Sequence, residues 1–374
     1  MTKNLTMTEK LKKLSPKLRS MIQTQEERDR ELKKFLEFAS ERQNKGVITK
    51  FFAQTMLHCN AGATIESAIW LKKHLDNGGK LVVTLAGALS SFQVGVMLAE
   101  LIRKGKVHLV SATGANHEES FYRHSAHSHY AYIPNYTELT PEQEMELRDA
   151  GLRRITDTFL PEDESVRIIE PHLHKMWLDA VALHEKYFPH EYFRNLYRNK
   201  LIKPDPKSNP MHSWTLAASE KNIPIVVPGF EDSTMGNIFS SYSYVGKHKE
   251  RDLLTVESSV MKTGPEYMHL AYDWYMDASK DAPIAFLQLG GGIAADFIIC
   301  VVPSLKHDLM IKKVRDWAGF IEVGSSPMSY GSYSGAGGKE KITWDKLSTK
   351  SYYKIIQSDA TLVFPIMAAV LLGK

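Results

Sequence analysis

A glycine string with the spacing of a dinucleotide-binding turn is the first feature of the chain that could do chemistry. Gly290-Gly291-Gly292-Ile293-Ala294-Ala295 directly follows the apolar segment 285–289 and gives the pattern G-x-G-x-x-A. Glycines at a strand-to-helix turn let the backbone approach a pyrophosphate, toward which the N–H groups of the helix point. The motif is equally compatible with a tight turn that only packs a strand against a helix. No acidic residue clearly ends a following strand, so the usual partner of the ribose is not identified.

Two further polar loops that contain glycine also follow apolar segments. The loop 111–119 (SATGANHEE) follows segment 107–110, and the loop 231–237 (EDSTMGN) follows segment 223–227. The carboxyl ends of parallel strands meet at one edge of a sheet, so the three loops would share the crevice in which α/β sheets bind ligands. Together they indicate a binding site more strongly than any one of them.

Other motifs favour simpler interpretations. The tract 330–338 (YGSYSGAGG) is not a phosphate-binding P-loop, because Tyr333 stands where its first glycine belongs and Glu340 where its Ser/Thr belongs. We interpret it as a mobile active-site loop. No nucleophile elbow of hydrolases and no zincin motif occurs.

Four histidines crowd one segment of the chain. They are His117, His124, His127 and His129, and no carboxylate stands at a recognised ligand spacing beside them. We therefore interpret them as surface or hydrogen-bonded histidines and predict no metal site.

The composition excludes several classes of protein. The 374 residues are 43% hydrophobic and 24% charged, as in globular proteins, and 47 basic residues against 43 acidic ones leave a net charge of only +4. Nucleic-acid binding is not expected without a concentrated basic face. The two cysteines, Cys59 and Cys300, allow no disulfide framework, and their apolar sequence neighbours predict buried thiols. With no signal peptide and no apolar stretch of membrane-spanning length, we expect a soluble cytoplasmic protein without a membrane partner.

The elements that must position these loops follow from the hydrophobic pattern. Short apolar segments at 81–85, 107–110, 223–227, 285–289 and 320–323 predict strands, and helical stretches such as 92–104 lie between them. Apolar strands that alternate with helices predict a parallel sheet covered on both faces, that is, a Rossmann-like, doubly wound α/β fold. We assign residues 1–45 to an N-terminal helical arm and 46–374 to a single domain. Within it, 135–164 is predicted to be rich in loops, with a helix starting at Thr140.

Two motifs near the C-terminus resemble the deoxyhypusine synthase family. Trp344-Asp345-Lys346-Leu347 is similar to the W-G-K-[IV] motif, which carries the family's catalytic lysine. The segment 358–365 (SDATLVFP) is similar to the motif A-D-A-[ST]-L-V-F-P, which lies near the family's cofactor. The number of residues between the two motifs matches the family, and the glycine turn 290–292 stands at the distance upstream that the family pattern predicts. The resemblance covers roughly residues 50–372 and includes 113–119, 154–161 and 231–237. The stretch 126–136 (AHSHYAYIPNY) is similar to the bacterial branch, which is related to homospermidine synthases.

The resemblance implies NAD-dependent transfer of the aminobutyl group of spermidine. In the family, NAD takes hydride from the polyamine, 1,3-diaminopropane leaves, and the butylimine passes to the lysine. An acceptor amine then displaces the lysine, and NADH reduces the new imine. The acceptor is a lysine of a protein in the synthase and putrescine in homospermidine synthases. Lys346 is the implied catalytic residue. Only a neutral lysine forms an imine, and about 0.04% is neutral at pH 7 at the ordinary pKa of ~10.4, so the site must desolvate it.

The resemblance also implies the remaining site residues. Glu340 and Trp344 match substrate-binding residues of the family, and Asp232 and Asp359 match residues that bind NAD. The expected cofactor-binding set is Thr113, Gly114, Glu119, Asp232, Gly290, Gly291, Gly292, Ser334 and Asp359. An active site shared across a dimer interface, within a homotetramer, is also implied.

The polyamine pocket departs from the family pattern. Asn237 replaces an aspartate, Asp296 a histidine and Cys300 an asparagine, and Tyr330 and Tyr333 replace two aspartates. Asn237 and Asp296 remain expected substrate-binding residues. Because carboxylates pair the ammonium groups of a polyamine, two alternatives stay open: transfer to putrescine, and a non-catalytic NAD-binding protein with a degenerate pocket.

Overall fold

Six parallel strands form the main sheet. The computed structural model describes residues 46–244, 256–331 and 335–374, together with Lys34. The strands of this sheet are β1 (Lys80–Leu85), β2 (Leu109–Ala112), β6 (Ile225–Val226), β7 (Ile284–Leu289), β8 (Trp317–Gly324) and β9 (Leu347–Gln357). Their order in space is β6-β2-β1-β7-β8-β9, and every neighbouring pair is parallel. Counted along the chain within this sheet, the order is 3-2-1-4-5-6, that of dinucleotide-binding folds. The predicted doubly wound α/β fold is confirmed.

Fourteen helices are found in the described ranges. They are α1 (Val47–Thr55), α2 (Cys59–Asp76), α3 (Gly95–Arg103), α4 (Gly114–Ala126), α5 (Pro141–Asp149), α6 (Glu162–Leu183), α7 (Pro189–Arg198), α8 (Trp214–Lys221), α9 (Thr234–Ser243), α10 (Gly264–Asp281), α11 (Ile293–Ile299), α12 (Val301–Pro303), α13 (Glu340–Thr343) and α14 (Ala360–Leu372). A π-helical turn, Ser304–Asp308, continues α12, and short 3₁₀ turns occupy His127–His129, Tyr136–Glu138, Pro210–His212 and Ser258–Val260.

Helices cover both faces of the sheet. On one face, the Trp70 ring of α2 lies where a side chain at Gly319 of β8 would stand. On the other, the Ser111 hydroxyl of β2 donates a hydrogen bond to the Ala294 carbonyl of α11, at 2.6 Å. Ser111 shares its face with Glu322 of β8, since the strand pairing leads from one to the other through Thr84 and Gln288. Successive side chains of a strand point to opposite faces, so Gly319 points away from Glu322. The two helices therefore lie on opposite sides of the sheet.

The five predicted strands are present with shifted bounds. The predicted strand 107–110 is observed at Leu109–Ala112, and 223–227 is shortened to Ile225–Val226. Continuous apolar segments carry no alternation that would mark where pairing stops. The strand β9 was not predicted, because LSTKSYYKIIQ is largely polar and only half-buried, as the outermost strand of a sheet can be.

A second sheet corrects the prediction for 135–164. Strands β3 (Ala131–Tyr132), β5 (Thr158–Pro161) and β4 (Leu152–Ile155) form a small antiparallel sheet, so this region is more regular than predicted. The predicted helix start is confirmed: Thr140 and Gln143 form a capping box at α5.

Three other predictions concern the cysteines, the N-terminal arm and membrane-spanning segments. The prediction of a buried thiol at Cys59 is wrong, because this residue begins α2 at an exposed position, whereas Cys300 is partly buried. The predicted arm 1–45 lies outside the described residues, apart from Lys34. Among the described helices, none is both long and apolar enough to cross a membrane.

Candidate active site

Lys346 lies in the wall of a cleft of about 560 Å³, with Asp296, Glu340 and Trp344 also lining it. The Lys346 side chain is buried, with 8% of the residue exposed, and its Nζ atom donates a hydrogen bond to Asp296 Oδ1 at 3.3 Å. Cys300 lines the same cleft, and its Sγ atom lies 3.6 Å from the same oxygen. Three of the four predicted substrate-binding residues and the predicted catalytic lysine therefore meet in one place.

The backbone on either side of Lys346 fixes its position. Its N–H donates to the Lys341 carbonyl at 3.0 Å, and its own carbonyl accepts from the Trp317 N–H of β8 at 3.4 Å. The preceding residue, Asp345, has a φ of +55°, which turns the chain from α13 into β9. Lys346 thus precedes β9 and faces Asp296, which lies one turn into α11.

Glu340 and Trp344 are more open than the lysine. Glu340 begins α13, and its side chain is exposed. Trp344 ends the same helix and is 65% exposed. These two residues form the outer part of the cleft, and Lys346 with Asp296 forms the inner part.

Asn237 is not brought to this cleft. It lies on α9, and its Nδ2 atom donates a hydrogen bond to the Glu231 carbonyl at 2.6 Å. Asn237 is not among the residues that line the cleft of Lys346 in one chain, so its role in binding the substrate stays a prediction.

A second lysine of the cleft was missed from the sequence. Lys341 lines the same cleft but is only 2% exposed, and its Nζ atom lies 4.4 Å from the centre of the Phe320 ring. Burial lowers the pKa of Lys341, and the charge of Lys346 lowers it further, against the opposing effect of Glu322. No sequence motif distinguished Lys341 from the other lysines of this segment.

The predicted cofactor residues gather at the carboxyl edge of the main sheet. Gly290, Gly291 and Gly292 follow β7, Thr113 and Gly114 follow β2, Asp232 follows β6, and Asp359 follows β9. Gly290 has a φ of +75°, and a side chain there would approach the Ala86 Cβ atom after β1 to 2.9 Å. The turn thus lies where the strand order reverses, between β1 and β7, which is the ligand crevice of such sheets. Ser334 lies outside the described residues.

Some of these residues already have structural partners. Thr113 caps α4 by accepting from the Asn116 N–H, and Asp359 caps α14 by accepting from the Thr361 N–H. Gly114 is needed for packing, since a Cβ atom there would lie 2.6 Å from that of Ser233. Asp232 is exposed.

Glu118 and Glu119 are buried and hold loops of this edge. Glu118 accepts hydrogen bonds from the N–H groups of Thr234 and Met235 at the start of α9, at 3.0 and 2.9 Å. Glu119 accepts from the Ser91 N–H in the loop after β1, at 3.1 Å. Burial raises the pKa of each carboxyl to about 7. Glu119, predicted to bind the cofactor, thus shapes a loop of the crevice.

The interpretation of the histidines is wrong for His117. His117 is fully buried, its ring centre lies 4.8 Å from that of Phe193, and neither ring nitrogen has a hydrogen-bond partner among the described residues. Burial lowers its pKa to about 3. His124 is also buried, with its Nδ1 atom lacking a partner there. In the described part of the chain, no three His, Cys, Asp or Glu side chains are arranged to hold a metal ion.

The chain is similar to several known proteins. The sequence model of the family described as deoxyhypusine synthase matches residues 51–371. A Sulfurisphaera tokodaii protein named "Probable deoxyhypusine synthase" is 24% identical over 317 residues, 83% of this chain and 89% of that protein. A "Deoxyhypusine synthase-like protein" of Elusimicrobium minutum is 24% identical over 298 residues, 79% of this chain and 72% of its own. A crystal structure of a candidate deoxyhypusine synthase from Entamoeba histolytica is 11% identical, with a TM-score of 0.47, covering 83% of this chain and 87% of that one.

Proposed function

Because the chain belongs to the deoxyhypusine synthase family, a family of NAD-dependent aminobutyl transferases, we propose that it moves the aminobutyl group of spermidine, or of a related polyamine, through an imine on Lys346 to an acceptor amine. The observation that carries this proposal is the buried Lys346 in the wall of a cleft, 3.3 Å from Asp296. An amine that forms an imine must be shielded from water and close to a group that can take its proton.

The other residues of the cleft divide the remaining work. Glu340, on the outer part of the cleft, pairs an ammonium group of the polyamine. The exposed ring of Trp344 supplies an apolar and cation-attracting surface for its methylene chain. Asp296 receives at Oδ1 the proton that Lys346 must lose. The neutral Lys346 Nζ atom then attacks the imine carbon of the substrate, and the bond to the diamine leaving group breaks.

The carboxyl edge of the sheet offers an open glycine turn at which a cofactor could bind. A side chain at Gly292, where φ is +86°, would meet no atom within 4 Å, so the backbone of the turn lies open to a ligand. We propose that this glycine turn, Thr113 and the exposed carboxylates of Asp232 and Asp359 hold the cofactor, with Gly114 and Glu119 supporting the loops and Ser334 completing the set. NAD supplies hydride acceptance from the amine and its return to the product imine.

The test combines labelled spermidine, NAD and borohydride. Incubation with and without putrescine separates the acceptors: diaminopropane without putrescine indicates the half-reaction, and homospermidine with putrescine indicates transfer to a small amine. Borohydride should trap an aminobutyl adduct on Lys346. Lys346→Ala and Lys346→Arg should abolish transfer and leave NAD binding by calorimetry nearly unchanged, since a guanidinium group stays protonated. The exposed Lys339 provides the control, and Lys339→Ala should keep full activity. Transfer that survives Lys346→Ala would refute the covalent route.

We also propose a homotetramer whose active sites are completed across a dimer interface. Large apolar side chains stand exposed at the cleft, where Tyr330 is 60% and Trp344 65% exposed, and Met328 nearby is 66% exposed. A partner subunit would cover them and reduce the water that reaches the cleft. Light scattering at micromolar concentration should give the mass of four chains, and a monomer would refute the shared site.

A further inference from the structure

A small pocket lined by basic and hydroxyl side chains lies at the end of α4 and shares no residue with the cleft of Lys346. Its volume is about 40 Å³, which is room for about three water molecules or for one small oxyanion. The basic side chains of its wall are Arg123, His124, His127 and His212, and its serines are Ser90, Ser120, Ser208 and Ser213. Among the described residues that line it there is neither Asp nor Glu.

Arg123 brings to the pocket a charge that no described carboxylate pairs. A guanidinium group has five N–H donors, and Arg123 uses two of them on the Ser91 carbonyl, from Nε at 3.1 Å and from Nη2 at 2.5 Å. The face of the half-buried group lies 3.6 Å from the centre of the Tyr130 ring. Its other N–H donors have no partner among the described residues. A fork of donors on a fixed cation is the arrangement that binds oxyanions in proteins.

The ring of His124 is an independent indication of a ligand. Only 5% of this residue is exposed, and its Nδ1 atom has no hydrogen-bond partner in the part of the chain that the structure describes. Its ring lies edge-on to that of Tyr197, with the ring centres 5.2 Å apart. Burial lowers the pKa of His124, so the neutral ring, which carries one N–H, lines the pocket. A buried polar atom without a partner is costly, and a ligand that accepts a hydrogen bond removes that cost.

Carboxylates of neighbouring elements do not neutralise the pocket. Glu119, one turn before Arg123 on α4, accepts a hydrogen bond from the Ser91 N–H at 3.1 Å. Asp205 accepts from the Ser128 hydroxyl at 2.6 Å. Both partners stand outside the wall of the pocket. The charge of Arg123 therefore stays available to a ligand.

We propose that this pocket binds a free tetrahedral oxyanion of the phosphate class, with Arg123 pairing its charge and with His124 and the serine hydroxyls donating hydrogen bonds. The small volume leaves no room for the organic part of a phosphate ester. Ser90 and Gln93 of the wall belong to the loop after β1, which also carries Ala86 beside the glycine turn. A bound anion therefore supports this loop from the side opposite the crevice. The inference does not depend on the proposed transfer reaction.

Equilibrium dialysis with labelled inorganic phosphate tests the site at pH 7, without polyamine or NAD and with the ionic strength held constant by chloride. Arg123→Met should weaken phosphate binding by about tenfold or more, because a charge-assisted hydrogen bond is lost. His124→Leu should also weaken it, whereas His124→Asn, whose amide stands near the place of Nδ1, should retain most of the affinity. Arg315→Met is the matched control: it removes the same charge from an exposed residue that does not line the pocket, and should leave binding unchanged.

A second measurement locates the anion on the unaltered protein, so the test does not depend on how well the variants fold. Diethyl pyrocarbonate modifies accessible histidine rings, and mass spectrometry follows each of them. Phosphate should slow the modification of His127 and His212, which line the pocket, but not that of His307, whose side chain is 62% exposed elsewhere. Three results would each overturn the proposal: no phosphate bound, no protection of His127 and His212, or equal binding by folded Arg123→Met and Arg315→Met.

Discussion

Asp296→Asn should make Lys346 more reactive toward a carbonyl reagent. The substitution keeps the shape of the side chain and removes the charge 3.3 Å from the Lys346 Nζ atom. At this distance, two unit charges attract by about 1.3 kcal/mol at the dielectric constant of water and by roughly 5 kcal/mol at an effective constant of 20. The Asp296 side chain is 47% exposed, so the lower figure applies. An energy of this size corresponds to about a tenfold change in an equilibrium constant.

The assay treats the intact protein with formaldehyde and cyanoborohydride at pH 7, and mass spectrometry follows methylation of Lys346. Without the carboxylate, the Lys346 ammonium group loses its ionic partner, so methylation of Lys346 should become up to about tenfold faster. Polyamine binding by calorimetry should weaken at the same time, because a carboxylate of the cleft is lost.

The chain offers a matched control for this prediction. Asp345 precedes Lys346, but its carboxylate accepts a hydrogen bond from His307 Nε2 at 2.9 Å. Asparagine tolerates the φ of +55° at this position. Asp345→Asn should therefore leave the methylation rate of Lys346 unchanged. If Asp296→Asn raises this rate no more than Asp345→Asn does, or lowers it, the assignment of Asp296 as the ionic partner of Lys346 is refuted.

Three further predictions concern the scaffold. Gly290→Ala should lower the free energy of unfolding, measured with urea, by roughly 1–3 kcal/mol and weaken NAD binding, because it combines a φ of +75° with a close approach to Ala86. Asp359→Ala should lower the free energy of unfolding by about 1 kcal/mol, because the hydrogen bond to the Thr361 N–H that caps α14 is lost. His117 stays neutral in the native state down to about pH 3, whereas in the unfolded chain it binds a proton below about pH 6.5. Stability to urea should therefore fall as the pH decreases from 6.5 toward 3, and His117→Leu should reduce that dependence.

The strands were predictable because most of the sheet is buried on both faces. Segments such as 81–85 and 285–289 are continuous apolar runs, and the observed strands Lys80–Leu85 and Ile284–Leu289 differ from them by one residue. The outer strand Leu347–Gln357 lacks that signal, because one of its edges has no neighbour in the main sheet. Hydrophobic pattern therefore predicts the centre of such a sheet better than its edge.

The candidate site was predictable only where a motif marks it. The motif around Lys346 identified the lysine and Trp344, and the glycine turn was recognised from its spacing. Lys341 stands beside them in sequence without any distinguishing pattern, because its burial depends on β8, some twenty residues earlier in the chain. The cage around His117 likewise joins α4 to α7 and α8, which no local spacing can indicate.

The charges of the cleft link binding of the amine to the chemistry of Lys346. Among the described residues that line it, Asp296 and Glu340 carry negative charge, and Lys341 and Lys346 carry positive charge when protonated. With both lysines protonated, the four charges cancel, and a polyamine with several ammonium groups gains little attraction. A proton that passes from a lysine to the solvent, instead of staying on Asp296, leaves one uncompensated carboxylate for the substrate. The form of the cleft that holds an amine substrate best is therefore also the form in which Lys346 can attack, so substrate binding and activation of the lysine favour the same protonation state.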